Sequence, residues 1–124
     1  MTPDIKPFAP ETEYLIPEGC YINELSNDGN DPALSIALAR VSPGVTTRWH
    51  RLRDIAERYV LLKGQGRVEI GDLPPRDMKP QDVALIPAGC RQRISNTGEE
   101  DLVFLALCTP RFEQTAYEDV EPPP

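Results

Sequence analysis

His50 is the only histidine among 124 residues, and Glu57 and Gln92 stand on nearby segments that alternate between polar and apolar side chains. An imidazole beside a carboxylate is equipped for proton transfer, with His50 as base and Glu57 as acid. Arg48 adds a permanent cation two positions before the imidazole. Held inside a small domain, a guanidinium needs a carboxylate from the protein or from a ligand, so Arg48 points to a small anionic metabolite. Tyr59 can donate its hydroxyl to the same ligand, and Gln92 offers both an amide donor and an acceptor.

Side chains can meet only if the elements carrying them place them on one face. Successive strand residues point to opposite sides. Thr46, Arg48, His50 and Leu52 therefore share one face, and Trp49 looks the other way, toward a packed or subunit-covered surface. Glu57, Tyr59, Leu61 and Lys63 share a face, as do Cys90, Gln92 and Ile94. If the faces holding His50, Glu57 and Gln92 turn inward, those three side chains converge. The structural alternatives are a histidine hydrogen-bonded within the core, Glu57 paired with Arg48 or Arg93, Arg48 at a rim in water, Tyr59 as packing and Cys90 as a buried thiol.

The rest of the chain fits a β domain. Fourteen prolines and eight glycines divide it into short pieces, none with sustained helical periodicity. Turn signals bound seven strand candidates, at 33–41, 46–52, 57–63, 67–70, 83–86, 90–95 and 101–108, a spacing typical of a sandwich or barrel. Residues 1–124 read as one domain with its core at about 31–110, between a proline-rich N-terminal arm and an acidic tail, YEDVEPPP. A net charge of −7 makes nucleic acid an unsuitable partner. Neither a membrane span nor a secretory leader is expected, and the three cysteines show no metal-knuckle spacing, so a cytoplasmic protein with reduced thiols is the expectation.

The arrangement of these residues resembles the cupins. The first motif of that family is a glycine, five residues, a His-x-His pair, three or four residues, a glutamate, six residues and a glycine. Here Gly44 is followed by VTTRW, His50, Leu52 in place of the second histidine, RDIA, Glu57, RYVLLK and Gly64. The second motif appears as Gln81 in the glycine place, DVALI, Pro87-Ala88-Gly89, Cys90-Arg91, Gln92 in the histidine place, RIS and Asn96. The spacing is kept while two ligand types are changed.

The resemblance implies an all-β fold, an antiparallel double-stranded β-helix or jelly-roll barrel. It also implies a metal site at His50, Glu57 and Gln92. One imidazole, one carboxylate and one amide oxygen make a degenerate set for a divalent metal such as manganese, iron, nickel or zinc, and the loss of nitrogen donors shifts preference toward harder ions. Two functions follow as expectations. One is a metal-dependent enzyme with His50 and Glu57 catalytic and Arg48, Tyr59 and Gln92 binding a small anionic metabolite, by oxygenase, isomerase, decarboxylase or lyase chemistry. The other is a metal-free small-molecule binding or sensing module. Pairing through an exposed strand edge suggests a homodimer.

Overall fold

The computed structural model describes residues 1–122. Its strands are β1 (Tyr14–Leu15), β2 (Tyr21–Ser26), β3 (Ser35–Val41), β4 (His50–Leu52), β5 (Ala56–Lys63), β6 (Gly66–Ile70), β7 (Arg76–Met78), β8 (Val83–Ile86), β9 (Gln92–Asn96), β10 (Leu102–Thr109) and β11 (Tyr117–Asp119). Two antiparallel sheets form the jelly roll, in the orders β1-β2-β3-β10-β5-β8 and β11-β4-β9-β6-β7. The remaining regular elements among the described residues are two single 3-10 turns, Pro10–Thr12 and Gln114–Ala116. No helix among them is long and apolar enough to cross a membrane.

Alternation fixes the inner faces. In β10, Leu102, Phe104, Ala106 and Cys108 are buried while the residues between them are less so. Register sets Phe104 against Leu61, Ala106 against Tyr59 and Cys108 against Glu57. The main core therefore runs from Val41, Leu61, Leu102 and Ile94 to Tyr59 and Phe104, whose rings pack with centroids 4.4 Å apart. Removing this apolar surface from water drives closure of the two sheets. At one end the aliphatic filling gives way to Glu57, Gln92 and His50, all buried.

Two backbone positions explain the motif spacing. Gly64 has φ +86°, and a Cβ there would lie 2.7 Å from the Asp101 carbonyl oxygen, so only glycine lets β5 turn beside the start of β10. Gln81, in the family's glycine place, also adopts the left-handed region at φ 73°. Its N–H donates to the Leu61 carbonyl at 2.8 Å, which anchors this strained turn against β5.

All seven expected strands have counterparts, 83–86 with the same ends as β8 and the others with shifted ends. The largest shift concerns residues 46–52. Only His50–Leu52 is strand, because the N–H of Arg48 donates to the Glu18 carbonyl and that of Trp49 to the Glu121 carboxylate, at 2.9 and 2.6 Å, instead of joining a ladder. The sheets also reach beyond 31–110. β1 and β2 precede that span, and the acidic segment expected as a free tail supplies β11, pairing Tyr117, Glu118 and Asp119 with Leu52, Arg51 and His50. Pro123 and Pro124, the end of that expected tail, lie outside the described residues.

Candidate functional site

Glu57 is placed by β5, with Cys108 of β10 on one side and Ile86 of β8 on the other. The Gln92 amide, carried across by β9, donates from Nε2 to Glu57 Oε1 at 2.8 Å. Gln92 Oε1 in turn accepts from the Tyr59 hydroxyl at 2.5 Å. Only one amide orientation serves this chain, because a carboxylate requires a donor and the reversed amide would face it with an oxygen. Cys108 Sγ stands 3.6 Å from Glu57 Oε2. Burial raises the Glu57 carboxyl to about 6, opposed by the Gln92 hydrogen bond and by the nearby His50.

His50 is placed by β4, directly opposite Gln92 in the ladder. Its Nδ1 lies 2.8 Å from the Arg48 carbonyl oxygen, and a carbonyl can only accept, so Nδ1 carries a hydrogen. Its Nε2 lies 3.3 Å from Glu18 Oε2. The contact is an ion pair when the imidazole is protonated. Glu18 Oε1 also accepts from Cys20 Sγ at 3.0 Å. The Tyr117 ring stacks on the imidazole with centroids 5.4 Å apart and planes 18° from parallel. Burial, reinforced by the Glu18 charge, holds the Tyr117 hydroxyl above its ordinary range.

Among the expected site residues, the structure brings together His50, Glu57, Gln92 and Tyr59. It does not bring Arg48 with them. The chain between Thr46 and His50 is not a strand, so alternation fails there: Thr47 turns inward and Arg48 outward. The Arg48 side chain is 47% exposed and its Nε donates to Asp119 Oδ2 at 2.8 Å. Trp49 faces outward as expected, between the Arg91 and Arg93 guanidiniums, each 4.5 Å from its ring centroid. Cys90 is a half-buried free thiol packed against the main core.

Glu18 and Tyr117 were not among the expected residues. Neither belongs to a motif, and both come from segments remote in sequence from His50. The one available signal was the pattern Glu18-x-Cys20 ahead of a turn-bounded β segment.

These groups line a cavity of about 160 Å³. Ile16, Ile22, Ile36, Leu52, Phe112 and Ala106 give it apolar walls, while Glu18, His50 and Glu57 give it a polar end. Tyr59 and Gln92 stand behind Glu57 rather than on the cavity wall, which makes them positioning residues. No lysine or arginine lines the cavity, so the anionic metabolite inferred from Arg48 would not meet that guanidinium there.

The donor set does not fit a resident divalent metal. Gln92 turns its oxygen to Tyr59 and its N–H to Glu57, His50 Nε2 faces Glu18, and Leu52 fills the place of a further imidazole. Among the described residues no three His, Cys, Asp or Glu side chains are grouped to hold an ion. A carboxylate stands where the imidazole would otherwise meet a cation.

Comparison with known proteins places this geometry. The cupin domain model matches residues 37–108. Glucose-6-phosphate isomerase of Pyrococcus horikoshii is 36% identical over 63 residues, which cover 48% of this chain and 33% of that protein. The match thus spans about a third of the curated relative's length. Among solved structures, a predicted oxalate decarboxylase from Thermotoga maritima is 26% identical with a TM-score of 0.67, covering 73% of this chain and 80% of that one. KdgF from a Halomonas species has a TM-score of 0.72 at 16% identity, covering 83% and 91%, a likeness of fold alone. With the family model matching more than half of its residues and both sheets in place, the chain belongs to the cupin family.

Proposed function

We propose that this cupin binds a small organic molecule without net negative charge and moves a proton on it by means of Glu57, with the His50–Glu18 pair as a second proton-holding site, independently of a metal. The observation that carries this reading is the presence in one cavity of two separate proton-holding sites, the Glu57 carboxyl and the His50–Glu18 pair. A carboxyl near 6 lies close to working pH in both its forms, the condition for efficient acid–base exchange. Gln92 and Cys108 hold Glu57 in place, and the apolar walls keep water from competing for the proton.

Glucose 6-phosphate and oxalate, named for two of the relatives, are anions. A cavity with carboxylates and no basic side chain other than His50 disfavours both. The metal-dependent enzyme implied by the motifs lacks a matching donor set, as described above. The apolar lining also suits a binding module without catalysis, and the two are separated by turnover.

The test combines elemental analysis of protein purified without added metal with proton NMR of small ketones, polyols and amino ketones in D2O. Deuterium should enter a bound compound, persist with EDTA and disappear in Glu57→Gln. One tightly held equivalent of a divalent metal, or exchange abolished by EDTA, defeats the metal-free reading. Binding without exchange leaves the binding module.

Pairing into a homodimer is supported by the edge strand β8, whose Val83 and Leu85 are 54% and 68% exposed beside Leu62 of β5. A monomer mass by light scattering would contradict it.

A further inference from the structure

Resting on the cavity reading above, we infer that its ligand is an organic ammonium ion with a compact apolar body. Three acidic side chains, Glu18, Glu24 and Glu57, line the cavity, and no lysine or arginine joins them. The charges are not equally free. Glu18 is engaged by His50 Nε2 at 3.3 Å. Glu24, at the mouth and open to solvent, accepts from Asn27 Nδ2 at 3.1 Å, and Glu57 accepts from an amide and a thiol. Neither Glu24 nor Glu57 takes part in any of the ion pairs among the described residues.

Glu57 is the telling case, since it is 9% exposed and faces the cavity. A carboxylate withdrawn from water is stabilised by a cation that it can hydrogen-bond; no lysine or arginine stands on the cavity wall, and the one basic group there, His50, is directed to Glu18. An ammonium head entering from the mouth would meet that carboxylate. Its apolar body would lie along Ile22, Leu52 and Phe112. The Tyr14 and Tyr117 rings are also on the wall, and aromatic rings are favourable neighbours for a cation. Glu24 at the entrance attracts the same sign of charge and repels anions. An anion would meet carboxylates at both ends of the cavity, and a neutral isostere would forgo the charge-assisted hydrogen bond to Glu57.

Benzylammonium, benzyl alcohol and benzoate share a body and differ in charge, so isothermal titration with the three at pH 7.5 isolates the charge term. Benzylammonium is expected to bind at least tenfold more tightly than benzyl alcohol, with benzoate undetected. Glu57→Gln should erase the preference for the ammonium. Glu24→Gln, at the solvent-exposed mouth, should reduce it several-fold even if Glu57→Gln fails to fold. Equal or tighter binding of benzyl alcohol or benzoate overturns the ammonium inference. So does the absence of benzylammonium binding. Benzyl alcohol binding that is lost in Leu52→Trp would leave the metal-free cavity reading standing while the charge inference falls. A resident metal would instead defeat the cavity reading first.

Discussion

His50 Nε2 faces Glu18 Oε2 at 3.3 Å while its Nδ1 is bound to the Arg48 carbonyl at 2.8 Å, so both ring nitrogens of the sole histidine are occupied by the protein itself. Removing one partner of a buried charged pair leaves the other uncompensated. Glu18→Ala is therefore expected to destabilise the fold by about 3 kcal/mol. Glu18→Gln should cost roughly 1 kcal/mol, because its amide N–H can donate to a neutral Nε2. Urea unfolding of the two variants checks the order. Equal losses would show that the carboxylate has no special relation to the ring.

Glu57 makes stability fall with rising pH. Its folded-state carboxyl is near 6 against an ordinary 4.5, so the folded protein holds the proton more tightly than the unfolded chain. The contribution is fully present below about 4.5, declines as pH rises and is gone above about 6, a span worth on the order of 2 kcal/mol. Glu57→Gln should flatten this part of the pH profile. Gln92→Leu removes the donor that favours the carboxylate, so the decline should move to higher pH. Urea midpoints between pH 4 and 7.5, the span suggested by those limits, would expose an unchanged profile in either variant (about ±0.2 M).

Arg48 offers a negative control. Its side chain is half-exposed and paired with Asp119 on the outer side of the site. Arg48→Ala should leave ligand affinity in the cavity unchanged and shift the melting temperature by no more than about 2 °C. A large loss of affinity would mean that the guanidinium reaches the ligand.

Gln81 occupies a left-handed conformation at φ 73° in which a side chain is strained. Gln81→Gly relieves that strain at some cost in unfolded-chain entropy, and a net gain of about 0.5–1 kcal/mol is expected. A fall in the chemical-denaturation midpoint would show that the Gln81 side chain contributes contacts outweighing its backbone strain.

Motif spacing made most of the barrel and the deep half of the site readable. Gly44, His50, Glu57, Gly64, Gln92 and Asn96 report which strands neighbour one another, and period-two alternation then predicts that Glu57, Tyr59 and Gln92 face inward. The same rule misplaced Arg48, since it was applied across residues 48–49, where backbone N–H groups bond to Glu18 and Glu121 instead of a neighbouring strand. β1, β2, β7 and β11 went unread because they are short or carry acidic and polar residues that look like loop. Glu18 and Tyr117 went unread because local spacing says nothing about a contact made across the whole chain.

Both of those residues lie outside the 37–108 stretch that defines the family match. The polar end of the cavity is thus assembled from two sources: a shared barrel that contributes His50 and Glu57, and flanking segments that contribute Glu18 and Tyr117. Substitution in a flanking segment can change which molecule is admitted while the ladder hydrogen bonds between barrel strands stay in place. Relatives that agree closely over the barrel need not, for that reason, agree in what they hold.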